Sequence, residues 1–365
     1  MTPRIHRGLD GSGEYVRRFL GEVPVERTLL VCRPASFEQS GAREWLTDIL
    51  GTRPPVFAAF SSNPKIEEVE QGVRRFRATG AKAIIAVGGG SILDMAKLVN
   101  YFGSRELSLD EYLANPTARS GPLRPLLAIP TTAGSGSEAT RFAVVYRGLA
   151  KYSVSDPAIR PGHVLLVPEF TASASPYQTA CSGMDALAQG IESHWAVEAT
   201  AASRGYAREA IRLALTHLPA AVDHPTLRDR SAMLEAAHLA GKAIDISKTT
   251  GAHAFSYILT STFGLPHGHA VGLLLPAFVR LHHQAGIELN GIDDHRLRDL
   301  MRAIGLDRKL PVTTDELETL FNQHVNLERL ANNPVPVSAE FIRTIAAGLA
   351  EKGFPPHPAQ PDADP

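Results

Sequence analysis

Cysteine is scarce in this chain, with Cys32 and Cys181 the only two in 365 residues. Two thiols cannot build a disulfide framework, so a reducing compartment, the cytoplasm, is the expected location. Net charge is almost absent as well. Lys and Arg number 37 against 38 Asp and Glu, a formal charge of −1, which gives no electrostatic pull toward nucleic acid or an anionic membrane. Long hydrophobic runs are missing too. The stretch MTPRIHRGLDGSGEYVRRFL holds no apolar segment of signal-peptide length. The most apolar run, Val271 to Val279, is too short to span a bilayer and contains Pro276. No internal repeat is found.

What is present reads as a globular protein, with 44% hydrophobic and 21% charged residues. A chain of 365 residues is long for a single hydrophobic core, so two domains are expected. Thr28–Cys32 (TLLVC), Ala83–Val87 (AIIAV) and Leu126–Pro130 (LLAIP) are short, fully apolar runs, as strands buried on both faces require. Pro55–Ser61 is expected as a further strand. Ile66–Thr79 carries Ile66, Val69, Val73 and Phe76 at helical spacing, and ILDMAKLVNYF reads as a helix. Strands alternating with helices predict an α/β nucleotide-binding domain with a parallel sheet over residues 1–168. Beyond it, apolar residues recur at three and four and strand-like alternation ends. An all-α domain is therefore expected over 169–354, and the proline-rich tail 355–365 is expected to be disordered.

Four stretches could carry chemistry. Gly88-Gly89-Gly90-Ser91 lies where a buried strand hands over to a helix, the setting in which backbone N–H groups bind phosphate. Its spacing is not GxGxxG, and a plain structural turn is an equal reading. A second small-residue loop, Thr131 to Ser137, also follows a strand and could line the same crevice. Asp185 and Gln189 stand at i and i+4 with Glu192 one turn on, either a solvated stripe or part of a ligand set. His253 and His267, with His269 beside the second, lie in an otherwise apolar segment. They are either core histidines satisfied by hydrogen bonds or, with Asp185, ligands of a catalytic divalent Fe or Zn.

Taken together, GGGSILDMAK (88–97), PTTAGSGSEATRFAVV (130–145), SGMDALAQGIES (182–193) and the His253/His267 block resemble the iron-containing, or group III, alcohol dehydrogenases of the dehydroquinate synthase-like fold. The resemblance implies a nucleotide-binding domain, a helical domain and a metal in the cleft between them. By match, Gly88 to Ser91 would take the pyrophosphate of NADH or NADPH, and Thr131, Thr132 and Ser137 the nucleotide. Asp94 and Lys151 also fall on family cleft positions, and Asp185, His253 and His267 on metal-ligand positions. Family members are commonly dimers or larger, so a homodimer is possible, although nothing in these residues marks an interface.

Two positions depart from the pattern. Gln189 stands where the family has a histidine ligand, and an amide oxygen binds a divalent ion less strongly. Tyr257 stands where several members have a histidine, which makes it a candidate proton relay with His269 as substitute. SKTTGAHAFSY, PHGHAVGLLLP and NLERLANNPVPVS look like the phosphonoacetaldehyde reductases, which make 2-hydroxyethylphosphonate in phosphonate biosynthesis. A dianionic substrate needs cations, and Lys248 is expected to hold the phosphonate with Arg141 and Lys151 as helpers. Arg33 ends the first apolar run where NAD-dependent members place an aspartate, so NADPH is expected to be tolerated. The same resemblance leaves open a general short-chain alcohol dehydrogenase and a lyase in the manner of dehydroquinate synthase.

Overall fold

A computed structural model describes residues 3–105, 107–115, 122–148, 150–289 and 291–350. The chain forms two compact units that divide between Ala174 and Ser175. The expected boundary at residue 168 falls short of this point. Phe170 is buried in the first unit's core, against Trp45, and keeps the following turn with that unit. The tail at 355–365 lies outside the described residues.

Among the described residues the first unit has eight strands: β1 (Arg4–Arg7), β2 (Thr28–Cys32), β3 (Val56–Phe57), β4 (Ala83–Gly88), β5 (Leu126–Pro130), β6 (Phe142–Arg147), β7 (Ala150–Ser155) and β8 (His163–Leu166). Six form one sheet in the order β1-β8-β5-β4-β2-β3, with every pairing parallel. Successive side chains of a strand point to opposite faces. Leu29, Val31, Ile84, Ala86, Leu126 and Ala128 therefore enter one core, and Leu30, Cys32, Ile85, Val87, Leu127 and Ile129 the other. Burial on both faces is why these strands read as unbroken apolar runs.

Two local readings needed revision. The strand expected over 55–61 is only Val56–Phe57. It is an edge strand, and after it the backbone turns, with Phe60 N–H donating to Ala58 (3.1 Å). β6 and β7 were not anticipated. They form a separate antiparallel hairpin whose inner face is Ala143, Val145 and Val154.

The second unit is helical among the described residues. Its helices include Pro176–Trp195, Ala201–Asp223, Leu227–Ser247, Gly251–Phe263 and His267–Gln284. Ser175 caps the first through Gln178 N–H, and Pro176 occupies its first turn, where no N–H is needed. Thr200 and Thr226 cap the next two. Gly251–Phe263 differs, because Thr250 at its N-cap position makes no side-chain cap bond. No helix among the described residues is long and apolar enough to cross a membrane. Cys32 and Cys181 are both buried and free.

The first unit also seals an ion pair. Arg105, at the end of the Gly90–Arg105 helix, donates to Asp156 at 2.7 Å, with side-chain exposures of 5% and 4%. Its guanidinium lies 4.4 Å from the centre of the Tyr101 ring. Asp156 also accepts Ala158 N–H at 2.8 Å, capping the turn that leads into β8. Replacing Arg105 by Met strands a buried carboxylate and is expected to cost about 3–5 kcal/mol. Chemical denaturation measures this directly, and a loss below about 1 kcal/mol would show that the pair contributes nothing beyond its desolvation cost.

Candidate active site

The Pro176–Trp195 helix is buried nearly all round. Met184, Leu187, Ala188 and Ile191 are sealed as their spacing predicts, but so is the polar face. Asp185 is 6% exposed, Gln189 4% and Glu192 0%. The solvated-stripe reading is therefore overturned, since a helix buried on every side must pair each polar group it carries. Gly268 brings the neighbouring helix in. A Cβ there would lie 1.9 Å from the Cys181 carbonyl oxygen and 2.9 Å from Asp185 Cβ, so the close approach beside His267 requires glycine.

That approach gathers Asp185, His253 and His267, each offering one ligand atom, with all three atoms within 4.8 Å of one another. His253 Nε2 is 3.3 Å from Asp185 Oδ1, and His267 Nε2 is 4.0 Å from the same oxygen. The two imidazoles meet edge to face, with centroids 5.3 Å apart. His253 Nδ1–H donates to the Glu192 carboxylate, which leaves Nε2 facing Asp185. Burial alone would lower the His253 pKa, but the Glu192 and Asp185 carboxylates outweigh it and raise the value to about 9. Burial also pushes Asp185 and Glu192 upward. Hydrogen bonding and charge from His253, with His267 adding its charge at Asp185, hold both below the ordinary carboxylate range.

Two imidazole nitrogens and a carboxylate oxygen suit a divalent Zn or Fe, and the donor set fits a metal of this kind. Gln189 lies on the same buried face, and its side chain hydrogen-bonds Asp185.

Around this cluster the expected roles separate. Tyr257 stacks on His267, rings 3° from parallel and centroids 5.6 Å apart. His269 does not resemble a proton relay. Its Nε2–H donates to the Leu306 carbonyl at 3.0 Å, and Nδ1 accepts from Tyr177 O–H at 2.9 Å. Both nitrogens are engaged and the ring is 2% exposed, which is the core-histidine reading for this residue. Lys248 ends the Leu227–Ser247 helix between two carboxylates, Glu198 and Glu328, each at 3.2 Å. Its charge is already compensated there, contrary to the expectation of a cation presented to a phosphonate.

In the first unit, the glycine turn and the Thr131–Ser137 loop do lie together. A Cβ on Gly88 would fall 2.1 Å from Ile92, and one on Gly90 2.5 Å from Ser135 Oγ. Thr131 N–H donates to the Gly88 carbonyl at 3.1 Å, and Thr132 lies beside Gly89. Gly89, Gly90 and Ser91 remain partly open. Asp94 accepts from Ser137 Oγ–H (2.6 Å) and from Val144 N–H (3.0 Å), tying the helix to the loop and to β6. Lys97 completes this junction, which sequence reasoning missed. It is wholly buried, and its ammonium donates to Ser137 Oγ, Thr140 Oγ1 and the Phe142 carbonyl at 2.9–3.0 Å. Lys151 stands on β7 opposite Tyr146, and Arg141 precedes β6; both are partly buried. Arg33 follows β2 and donates to Ser62 Oγ at 2.9 Å.

Comparison with known proteins agrees with this arrangement. A family profile described as "Iron-containing alcohol dehydrogenase" matches residues 3–168, and one described as "Fe-containing alcohol dehydrogenase family, C-terminal" matches residues 179–364. Phosphonoacetaldehyde reductase of Streptomyces viridochromogenes is 34% identical over 253 residues, 66% of this chain and 64% of that protein. Long-chain-alcohol dehydrogenase 1 of Geobacillus thermodenitrificans is 31% identical over 253 residues, 68% of this chain and 62% of that protein. The matched part thus spans just under two thirds of the length of each relative. Among solved structures, sulfoacetaldehyde reductase from Bifidobacterium kashiwanohense in complex with NAD+ superposes with a TM-score of 0.85 at 30% identity, covering 96% of this chain and 98% of that one. With both profiles matched and this structure shared, the chain belongs to the iron-containing alcohol dehydrogenase family.

Proposed function

We propose that this protein is a metal-dependent NAD(P)H oxidoreductase that reduces phosphonoacetaldehyde to 2-hydroxyethylphosphonate. The observation that carries the oxidoreductase reading is the Asp185–His253–His267 cluster, in which Asp185 and His253 are buried and His267 is partly open, in a chain that also carries a glycine turn suited to phosphate. Two relatives support the substrate class. One is named for phosphonoacetaldehyde and the other for sulfoacetaldehyde, both two-carbon aldehydes bearing a tetrahedral anionic group.

When bound, the divalent ion supplies a Lewis acid for an aldehyde oxygen and the nicotinamide supplies hydride. Asp185, His253 and His267 would hold the ion, with Gln189 fixing Asp185 or adding its amide oxygen. Gly88 to Ser91, with Thr131 and Thr132, would hold the pyrophosphate and nucleotide. Asp94 and Ser137, locked to each other by Lys97, would keep that loop in place. Tyr257 would pass a proton to the product oxygen, and Arg141 would meet the phosphonate. A second reading, an alcohol dehydrogenase for uncharged substrates, is favoured by the ion-paired state of Lys248.

Three experiments test these roles. Metal-reconstituted protein should oxidise NADPH or NADH with phosphonoacetaldehyde at a kcat/KM roughly 10–100-fold above that for propionaldehyde, the discrimination expected from charge-assisted hydrogen bonds to the anion. Equal values would give the second reading, and no oxidation with either aldehyde would exclude an aldehyde reductase. Tyr257→Phe should lower kcat by about 10²-fold or more while leaving bound metal unchanged. Undiminished kcat would reduce Tyr257 to a ring that orients His267. Arg33→Ala should lower kcat/KM for NADPH about tenfold, the loss of one charge-assisted contact, and leave NADH nearly unaffected. Parallel losses for both coenzymes would assign Arg33 to the loop held through Ser62.

A further inference from the structure

Glu192 is a fully buried carboxylate that none of the roles above uses. It sits seven residues after Asp185 on the same helix, and its carboxylate hydrogen-bonds the segment bearing His253. One oxygen accepts the His253 backbone N–H at 3.2 Å. The other accepts Thr250 N–H at 3.1 Å and the His253 Nδ1–H. The Gly251–Phe263 helix has no side-chain cap of its own. Glu192 reaches across and supplies one, placing negative charge at the positive end of that helix. Thr250 is held in turn, since its Oγ1 accepts from Trp195 Nε1 at 2.9 Å and Trp195 stacks on His282 at 3.9 Å.

We infer that Glu192 is the positioning residue of the metal centre: by capping the His253 helix and accepting from Nδ1, it fixes the imidazole so that Nε2 presents its lone pair to the ion. This rests on the metal reading proposed above. An acceptor-only group is required because three donors converge on it. A glutamine offers one acceptor oxygen and one NH2. If its oxygen faces Nδ1, the NH2 opposes the His253 N–H. If its NH2 faces Nδ1, that nitrogen must accept, and Nε2 then carries the proton and cannot bind metal.

The test is Zn2+ affinity, measured by competition with a chromophoric chelator, for wild type, Glu192→Gln and Glu192→Asp. Thermal unfolding of each metal-free protein separates loss of fold from loss of affinity. Glu192→Gln should bind Zn2+ roughly 10–100-fold more weakly, with shifted visible bands in the Co2+ form. Glu192→Asp, which keeps two acceptor oxygens, should recover part of the affinity. In zinc-loaded wild type, 15N resonances should show His253 protonated at Nδ1, and this measurement decides the matter should Glu192→Gln fail to fold. Equal affinity and an unchanged Co2+ spectrum in Glu192→Gln, or an aspartate no better than glutamine, would each overturn the inference while leaving the metal reading intact, and a proton on Nε2 would overturn it and also remove His253 from the ligand set. Wild type that takes up neither Zn2+ nor Fe2+ would overturn both.

Discussion

Two carboxylates sealed inside one helix set the terms for the whole second unit. Asp185 and Glu192 carry charge into a place where an isolated anion would be prohibitively costly, so the surrounding chain must bring donors to them. His253 meets both carboxylates, His267 reaches Asp185 and Gln189 bonds it, and the first N–H groups of the Gly251–Phe263 helix close on Glu192. Satisfying these partners dictates helix placement. Gly268 lets one helix touch another at van der Waals distance, and the uncapped start of the His253 helix is drawn to a cap on its neighbour.

Much of the fold was legible because burial leaves a periodic trace. β2 and β5 have the limits that their apolar runs suggested, and β4 extends its run by one residue, to Gly88. The misses have different causes. Val56–Phe57 shrank because an edge strand is held from one side only, and β1 is short, polar and held by β8, a partner remote in sequence. β6 begins inside the stretch valued for its motif and reads as a continuous FAVVY run whose burial alone alternates, whereas β7, beyond that stretch, alternates apolar with polar residues. The β1–β8 pairing, remote in sequence, leaves little local signal.

The site was legible to a different depth. Types and spacing of Asp185, His253 and His267 sufficed to suggest a cluster, because imidazoles in an apolar stretch demand partners. Sequence reasoning named Glu192 only as the next turn of a face. The signal was available, since seven residues is two helical turns and places it in line with Asp185. Lys97 carried no signal of that kind. A lysine within a helical apolar run looks like a solvated end, and only the fold shows three oxygens converging on its ammonium.

The same lesson bears on what the Lys248 turn and the Asn326–Asn333 segment do. Lys248 has φ 58° and ψ −173°, a conformation that belongs to glycine and costs of order 1–3 kcal/mol. The strain persists because the turn is held from outside. Buried Asn332 donates to the carbonyls of Ser247 (2.7 Å) and Thr249 (3.1 Å) and accepts from Glu198 N–H (3.0 Å), while Arg329 donates to Thr249 Oγ1. Lys248 itself is gripped by Glu198 and Glu328. The turn so fixed delivers Thr250 and His253 to Glu192. The stretches SKTTGAHAFSY and NLERLANNPVPVS are thus linked through the placement of the His253 helix.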